Sequence, residues 1–314
     1  MPSTPVNAGW KAGRIIAPAM RRAAEHLAEL VTSLRVRTVY TDLDGTLLGP
    51  GGSLFATPAG PNREPAEAVA ALLEAGIDLV VVSGRTRDQI REVARVVGAA
   101  AYVAELGGLI VYRSEWAEEV VRADGTRLGR GTAAEAIDRS GAAGFLLEKY
   151  VGRLEPHAPW AFLGRECSIL LRGKVDVDAT RTELRAAGYG WLDLLDNGIL
   201  SGGRARFPAL EVDEVHVYHL MPFGVSKRSA IALDRARRDL HADECIAIGD
   251  SPSDAAAAAE VGAVFVVANG APAMRSEQLA ENVFLLDRSH GLGFADAVLP
   301  FARKRRAPSG TRRD

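Results

Sequence analysis

The stretch Tyr40-Thr41-Asp42-Leu43-Asp44-Gly45-Thr46-Leu47-Leu48 constrains the fold more than any other part of the chain. An apolar run over residues 36–40 leads into two carboxylates at i and i+2, with glycine immediately after. On a strand, that spacing sets Asp42 and Asp44 on one side at the C-terminal end. Gly45 then lets the backbone turn sharply away. Two acids crowded at a strand tip are costly unless a cation or a phosphoryl-type ligand compensates them. The plainer alternative is a solvated Asp-x-Asp-Gly turn, which weakens once partners appear elsewhere in the chain.

Partners do appear, on an alternating pattern of strands and helices. Residues 17–34 have the apolar spacing of an amphipathic helix, to be packed on the core or on a second subunit. Residues 49–61 are rich in Gly and Pro and read as a loop. A helix starts near Glu64, with Val69, Leu72 and Leu73 on one face and Gly76 as its stop. Residues 77–82 form a continuous apolar run, as expected for a strand buried on both faces, and deliver Ser83. Thr86 and Gln89 fit a capping box, and residues 101–104 form a third strand. This alternation predicts a doubly wound, Rossmann-like parallel sheet of the α/β class.

The pattern changes after residue 108. Strand signals at 109–112, 119–121, 145–147, 168–171, 191–195 and 212–220 mix with helices near 132–141 and 179–187. Asp124-Gly125 and Asn197-Gly198 carry turn signals. An inserted α+β cap over 109–221 fits this mixture. Core periodicity returns with a helix over 226–240, a strand over 245–248 ending at Gly249-Asp250, an Ala-rich helix, and strands at 264–267 and 283–286 around a helix at 273–280. The expected layout is an arm over 1–35, a core of 36–108 and 222–302, the cap, and a solvated basic tail over 303–314.

With 314 residues, 47% apolar content and a formal charge of −2, a sizeable core is available and no global attraction to nucleic acid is expected. No apolar run approaches a membrane span and no signal-peptide core is present at the N-terminus, so no membrane partner is expected. Cys167 and Cys245 sit in apolar runs and read as buried thiols, consistent with a cytoplasmic protein.

Four stretches occur in order: Asp42-Leu43-Asp44-Gly45-Thr46, Val82-Ser83-Gly84-Arg85, Ser226-Lys227, and Gly249-Asp250-Ser251-Pro252-Ser253-Asp254. Together they resemble the four motifs of the haloacid-dehalogenase superfamily of phosphohydrolases. The wide gap between the second and third resembles the branch with a large α/β cap, which includes sugar-phosphate, mannosyl-phosphoglycerate and sucrose-phosphate phosphatases and phosphomannomutase. The resemblance spans residues 36–286. Two departures are visible: Glu105-Leu106-Gly107 where the family commonly has Glu-Asn-Gly, and Ser253 in place of an asparagine.

The resemblance implies a Mg2+-dependent phosphatase acting on a small phosphorylated metabolite, most naturally a sugar phosphate. It implies Asp42 as the nucleophile that forms an aspartyl-phosphate, and Asp44 as general acid and base. It implies Mg2+ on the Asp42 carboxylate, the Asp44 carbonyl and the Asp250 carboxylate, with Asp254 holding a metal water or orienting Lys227. Lys227 and Ser83 would stabilise the phosphoryl group. Thr46, Gly84 and Arg85 belong to the same motifs and are candidate substrate contacts. From the cap, Arg204, Arg206 and His219 are candidates, each with a structural alternative as solvated arginines or a satisfied histidine. A phosphomutase shares the aspartyl-phosphate, and a noncatalytic binding protein shares the fold. Retention of Asp42, Asp44, Lys227 and Asp250 argues against the last. A homo-oligomer is compatible with the sequence.

Overall fold

A computed structural model describes residues 20–123, 131–200, 203–275 and 279–306, without the side chains of 203 and 204. Helix α1 (Ala23–Ser33) lays Leu27, Leu30 and Val31 on the chain's own core. Strand β1 (Thr38–Asp42) follows, buried along its whole length. A small antiparallel hairpin of β2 (Ala56–Thr57) and β3 (Gly60–Pro61) leads to α2 (Glu64–Glu74), β4 (Asp78–Val82), α3 (Arg87–Val96) and β5 (Ala101–Ala104). The Thr86–Gln89 capping box forms, each side chain bonding the other's backbone N–H at the start of α3.

Strands β6 (Leu109–Arg113) and β7 (Glu118–Arg122) come next, then α4 (Ala133–Ser140), α5 (Ala142–Lys149), β8 (Leu154–Pro156) and β9 (Ile169–Gly173). They are followed by α6 (Val177–Ala186), β10 (Leu192–Leu200), α7 (Gly203–Arg206) and β11 (Val215–Pro222). The chain closes with α8 (Lys227–Arg237), β12 (Cys245–Gly249), α9 (Pro252–Ala255), β13 (Ala263–Val266), β14 (Val283–Leu285) and α10 (His290–Arg306).

The large sheet has the order β14-β13-β12-β1-β4-β5-β6-β7, parallel from β14 through β5 and antiparallel beyond. Strand residues alternate between its faces. Val39 joins Leu72, Ile90, Phe294 and Phe301 on the side of α2, α3 and α10, whereas Tyr40 joins Ile231 and Ala257 on the side of α8. The core is therefore doubly wound. The register Thr38↔Cys245 and Asp42↔Val82 brings the C-terminal ends of β12, β1 and β4 side by side. A second, antiparallel sheet of order β10-β11-β9-β8 carries α4, α5 and α6 on an apolar face built from Ile137, Leu146, Ile169, Leu184 and Leu220.

Several sequence expectations need correction. β6 and β7 were assigned to the cap beginning at residue 109, but they extend the core sheet by pairing β6 on β5. Hydrogen-bonding edges take up apolar strands wherever the register allows, so the hairpin signal alone did not identify the sheet it joins. Residues 145–147 lie in α5, not in a strand. Asn197-Gly198 is not a hairpin turn: β10 runs through it, and its pairing on β11 slips between Asp196 and Ile199. Gly198 supplies the positive φ for this bulge, and its N–H bonds Asp196 Oδ1 at 2.8 Å. Residues 268–273 form a short 3-10 segment where the expected 273–280 helix would start, and 276–278 lie outside the described residues, as does the Asp124-Gly125 signal.

The basic segment 303–306 is exposed, as expected, but it is the last turn of α10 rather than a tail; residues 307–314 lie outside the described residues. Lys304 Nζ bonds the carbonyls of Val31 at 2.6 Å and of Thr32 and Leu34 at 3.1 Å, which satisfies the open C-terminal end of α1. Arg305 bonds Val36 O at 3.1 Å. The apolar face of α10 carries Phe301, packed edge-on to Phe265 with ring centroids 6.4 Å apart. Phe301→Ala is expected to destabilise the fold by about 3–5 kcal/mol in chemical denaturation. A loss below about 1 kcal/mol would mean that α10 is not part of the core.

Candidate active site

Three strand tips and one helix start build the site. β1 ends in Asp42, β4 runs into Ser83 and β12 runs into Asp250. Opposite them, α8 begins at Lys227, its N-cap Ser226 accepting the Ser229 N–H. Lys227 Nζ donates to Asp42 Oδ1 at 2.7 Å and to Asp254 Oδ1 at 2.8 Å, and all three side chains are at most 8% exposed. Asp254 is fixed through its other oxygen, which accepts from Ser251 N at 3.1 Å and Ser251 Oγ at 2.5 Å. Gly107 allows the turn after β5 to press against the start of α8: a Cβ there would lie 2.1 Å from Ser226 O.

The loop after β1 is braced from the far side. Gly45 has φ +87°, and a Cβ on it would fall 2.2 Å from Asp250 Oδ2. Its carbonyl accepts from Asn269 Nδ2 at 2.8 Å and His290 Nδ1 at 2.9 Å, and Asn269 Oδ1 accepts the His290 N–H. Neither Asn269, in the short 3-10 segment, nor His290, the first residue of α10, was singled out in the sequence, because neither carries a local motif.

The charge balance of this cluster calls for a cation. Burial pushes the Asp42 carboxyl above the usual range; the Lys227 ammonium opposes this, and Asp254 and Asp250 add like charge. Asp250 is raised for the same first reason, with Asp254 repelling and Lys227 attracting. Lys227, though burial disfavours its charge, is held charged by Asp254 and Asp42. One ammonium does not offset three acidic groups, of which Asp42 and Asp254 are buried and Asp250 partly so. Asp42, Asp250 and Asp254 can bring one oxygen each to within 4.8 Å of one another. An all-oxygen donor set of this charge suits a hard divalent ion such as Mg2+.

The remaining expected residues are distributed as follows. Asp44 is half-exposed and gripped by Arg85, whose Nε and Nη2 donate to its two oxygens at 2.7 and 2.5 Å. Ser83, Gly84, Arg85 and His219 line the same cleft as Asp42, Asp44, Lys227 and Asp250, with a volume of about 240 Å³. Thr46 is fully buried and is not part of the cleft wall, so its expected substrate contact is absent from this arrangement. Arg206 sits outside the cleft wall, its guanidinium 5.3 Å from the Phe207 ring centroid, and the Arg204 side chain lies outside what is described.

The cap roof is made by other residues: His157, Trp160, Arg165 and Asn197, beside Leu170, Val217 and His219. Sequence reading missed the first three, and took Asn197 for a turn residue. Arg165 Nη1 donates to Gly84 O at 3.1 Å, bringing the cap loop onto the second motif. Burial, with Arg172 and then Arg165 nearby, lowers the His157 pKa to about 4, so this roof ring is neutral at ordinary pH.

Residues 39–125 match the haloacid dehalogenase-like hydrolase family. Two archaeal relatives, both named phosphoglycolate phosphatase, align over nearly all of their length. The one from Methanoculleus marisnigri is 24% identical over 84% of this chain and 95% of its own. The one from Methanothrix thermoacetophila is 26% identical over 84% and 96%. Among solved structures, a Thermoplasma acidophilum protein shares the fold with a TM-score of 0.58 at 18% identity, over 85% of this chain and 98% of that one. The sucrose-phosphatase of Synechocystis, solved with sucrose and phosphate, shares it with a TM-score of 0.56 at 14% identity, over 85% and 98%. The chain is thus similar to haloacid dehalogenase-like hydrolases over residues 39–125, with three of the four motifs at strand ends of a doubly wound sheet and the third at the start of α8. The two archaeal relatives are, by their names, phosphoric monoester hydrolases.

Gly45→Ala is expected to abolish most phosphatase activity, by on the order of a hundredfold, because the new methyl group meets the Asp250 carboxylate and the φ is unfavourable. The check is phosphate release beside a thermal melt. Activity within threefold of the parent protein would contradict the close approach of Gly45 to Asp250.

Proposed function

We propose that the protein is a Mg2+-dependent phosphatase that hydrolyses a small phosphorylated metabolite, with a sugar phosphate as the favoured class, through an aspartyl-phosphate on Asp42. The observation that carries this reading is the buried constellation of Asp42, Lys227, Asp254 and Asp250 at one end of the sheet, under a cap-roofed cleft. A second reading, a phosphorylated small acid, is supported by the names of the two archaeal relatives.

In this mechanism Asp42 attacks phosphorus while the ester P–O bond breaks, and Asp44 gives its proton to the departing alcohol oxygen. Asp44 then takes a proton from water as the water attacks phosphorus, which releases inorganic phosphate and regenerates the Asp42 carboxylate. Arg85 occupies both oxygens of Asp44, so acid–base work requires that contact to open. Both partners are substantially exposed, and such a pair is worth only about 0.2–1 kcal/mol. Lys227 lies against the nucleophile and supplies positive charge to an anionic ester, and the Ser83 hydroxyl borders the same space. Asp42 and Asp250, with the Asp44 carbonyl, would hold Mg2+, and Asp254 would act through Lys227 or a metal water. When bound, Mg2+ supplies charge neutralisation to the phosphoryl oxygens.

Hydrolysis is favoured over the mutase alternative by the cap side of the cleft. A mutase needs a second anion site there, and the one guanidinium the described roof residues contribute, Arg165, lies 3.6 Å from Glu105. The buried Cys167 and Cys245, which form no disulfide, support the cytoplasmic location expected from the sequence. Among the described residues no helix is long and apolar enough to cross a membrane.

A panel of phosphorylated metabolites, read by phosphate release, tests the proposal. The preferred ester is expected to give one phosphate per molecule consumed, with activity lost on metal removal and restored by Mg2+. Asp250→Ala is expected to raise the Mg2+ requirement by on the order of tenfold or more. Full activity of the metal-free protein, or positional isomerisation with little phosphate release, would refute it.

A further inference from the structure

A buried chain of hydrogen bonds runs from the core into the roof of the cleft. Glu105, at the end of β5, is fully buried. Its Oε1 accepts the Glu166 N–H at 2.7 Å, and its Oε2 accepts those of Cys167 at 3.2 Å and Ser168 at 2.9 Å. Oε2 also accepts the Ser168 hydroxyl at 2.6 Å. A carboxylate has no hydrogen to return, so the Ser168 O–H is committed to it. The Ser168 oxygen is left as an acceptor, and His219 Nδ1 stands 3.1 Å away. Nδ1 therefore carries the ring proton, and Nε2 presents a bare lone pair. Burial first, then the charges of Arg165 and Lys227, hold His219 well below the usual imidazole pKa, so the ring is neutral.

His219 is fully buried, and its Nε2 has no hydrogen-bond partner. It stands close over Gly84, where the missing side chain makes room: a Cβ on that glycine would lie 3.1 Å from His219 Nε2 and 2.6 Å from Asn197 Nδ2. Buried acceptors are normally paired, and this one borders the cleft. What pairs with it must donate. A carboxylate or phosphoryl oxygen has no hydrogen and would set negative charge against the lone pair. A hydroxyl donates to Nε2 and can at the same time accept from the Asn197 amide.

We propose that His219, fixed as an acceptor by Glu105 and Ser168, reads a hydroxyl of the leaving group, so that the site selects hydroxyl-bearing phosphate esters over those with a carboxylate at that position. The proposal rests on the phosphatase reading and decides between its two substrate classes. Glu105 and Ser168 are positioning residues here; His219 is the contact.

Nitrogen NMR of the ligand-free protein tests the relay without turnover. The expected spectrum has His219 protonated on Nδ1 and bare on Nε2. Ser168→Thr is expected to keep that tautomer and Ser168→Ala to release it; if the alanine variant does not fold, the parent spectrum still decides. A ring protonated on Nε2 overturns the relay. Selectivity is read by comparing glycerol phosphate with propyl phosphate and phosphoglycolate. The kcat/KM for glycerol phosphate is expected to exceed both by on the order of tenfold or more, and His219→Leu to bring the ratios near one. Equal rates, or a preference for phosphoglycolate, overturn the proposal. If no ester is hydrolysed, the phosphatase reading has failed instead. The present proposal is then decided by whether glycerol phosphate, but not propyl phosphate, shifts the His219 ring signals.

Discussion

The Lys227 ammonium, buried between Asp42 and Asp254, is the interaction on which the rest of the site depends. Charges removed from water persist only when their partners are held in place, and truncating one partner of such a group costs about 3–5 kcal/mol. The architecture supplies that hold from several directions. Sheet register fixes Asp42, α9 capping fixes Asp254, and the Ser226 cap with the close approach of Gly107 fixes the start of α8. The arrangement remains negative in excess. That excess is what the proposed divalent cation would compensate.

Core and cap are joined around the segment Glu105-Leu106-Gly107, where Leu106 departs from the pattern the sequence resembles. Leu106 replaces the usual asparagine at φ +54°, a conformation that asparagine adopts more readily than leucine. In exchange its side chain is buried against Met221 and Val225, where β11 returns to the core. Glu105 next to it gathers three cap backbone N–H groups and the Ser168 hydroxyl. The cap loop is thus tied to the end of β5, and Arg165 ties it to Gly84 as well. At Leu106 the polar asparagine side chain is thus exchanged for apolar packing, beside the carboxylate clamp of Glu105.

What could be read from the sequence follows the range of the interactions. The strand tips were legible because Asp42, Ser83, Lys227 and Asp250 each sit at a local boundary that pattern and capping chemistry announce. The capping box at Thr86 formed as read. The roof was not legible. His157, Trp160, Arg165 and Asn197 come together only through sheet pairing and a bulge, and none carries a local signal. The same limit misassigned β6 and β7, whose alternation defines strands but not their neighbours. Helix α10 was hidden by Gly291, Gly293 and Pro300, weak helix formers that tertiary packing on α2 and β13 overrides. Its basic end looked solvated because the carbonyls that receive Lys304 belong to a helix 270 residues earlier.

The central claim is that Asp42, rather than a water held by the carboxylate cluster, attacks phosphorus. Acid quenching during turnover of phosphate-labelled ester, followed by peptide mapping, tests it directly. The account predicts label on the peptide carrying residues 40–48, located on Asp42 and absent from Asp42→Asn. Turnover with no label on that peptide at any time point, or label on another residue, would contradict it.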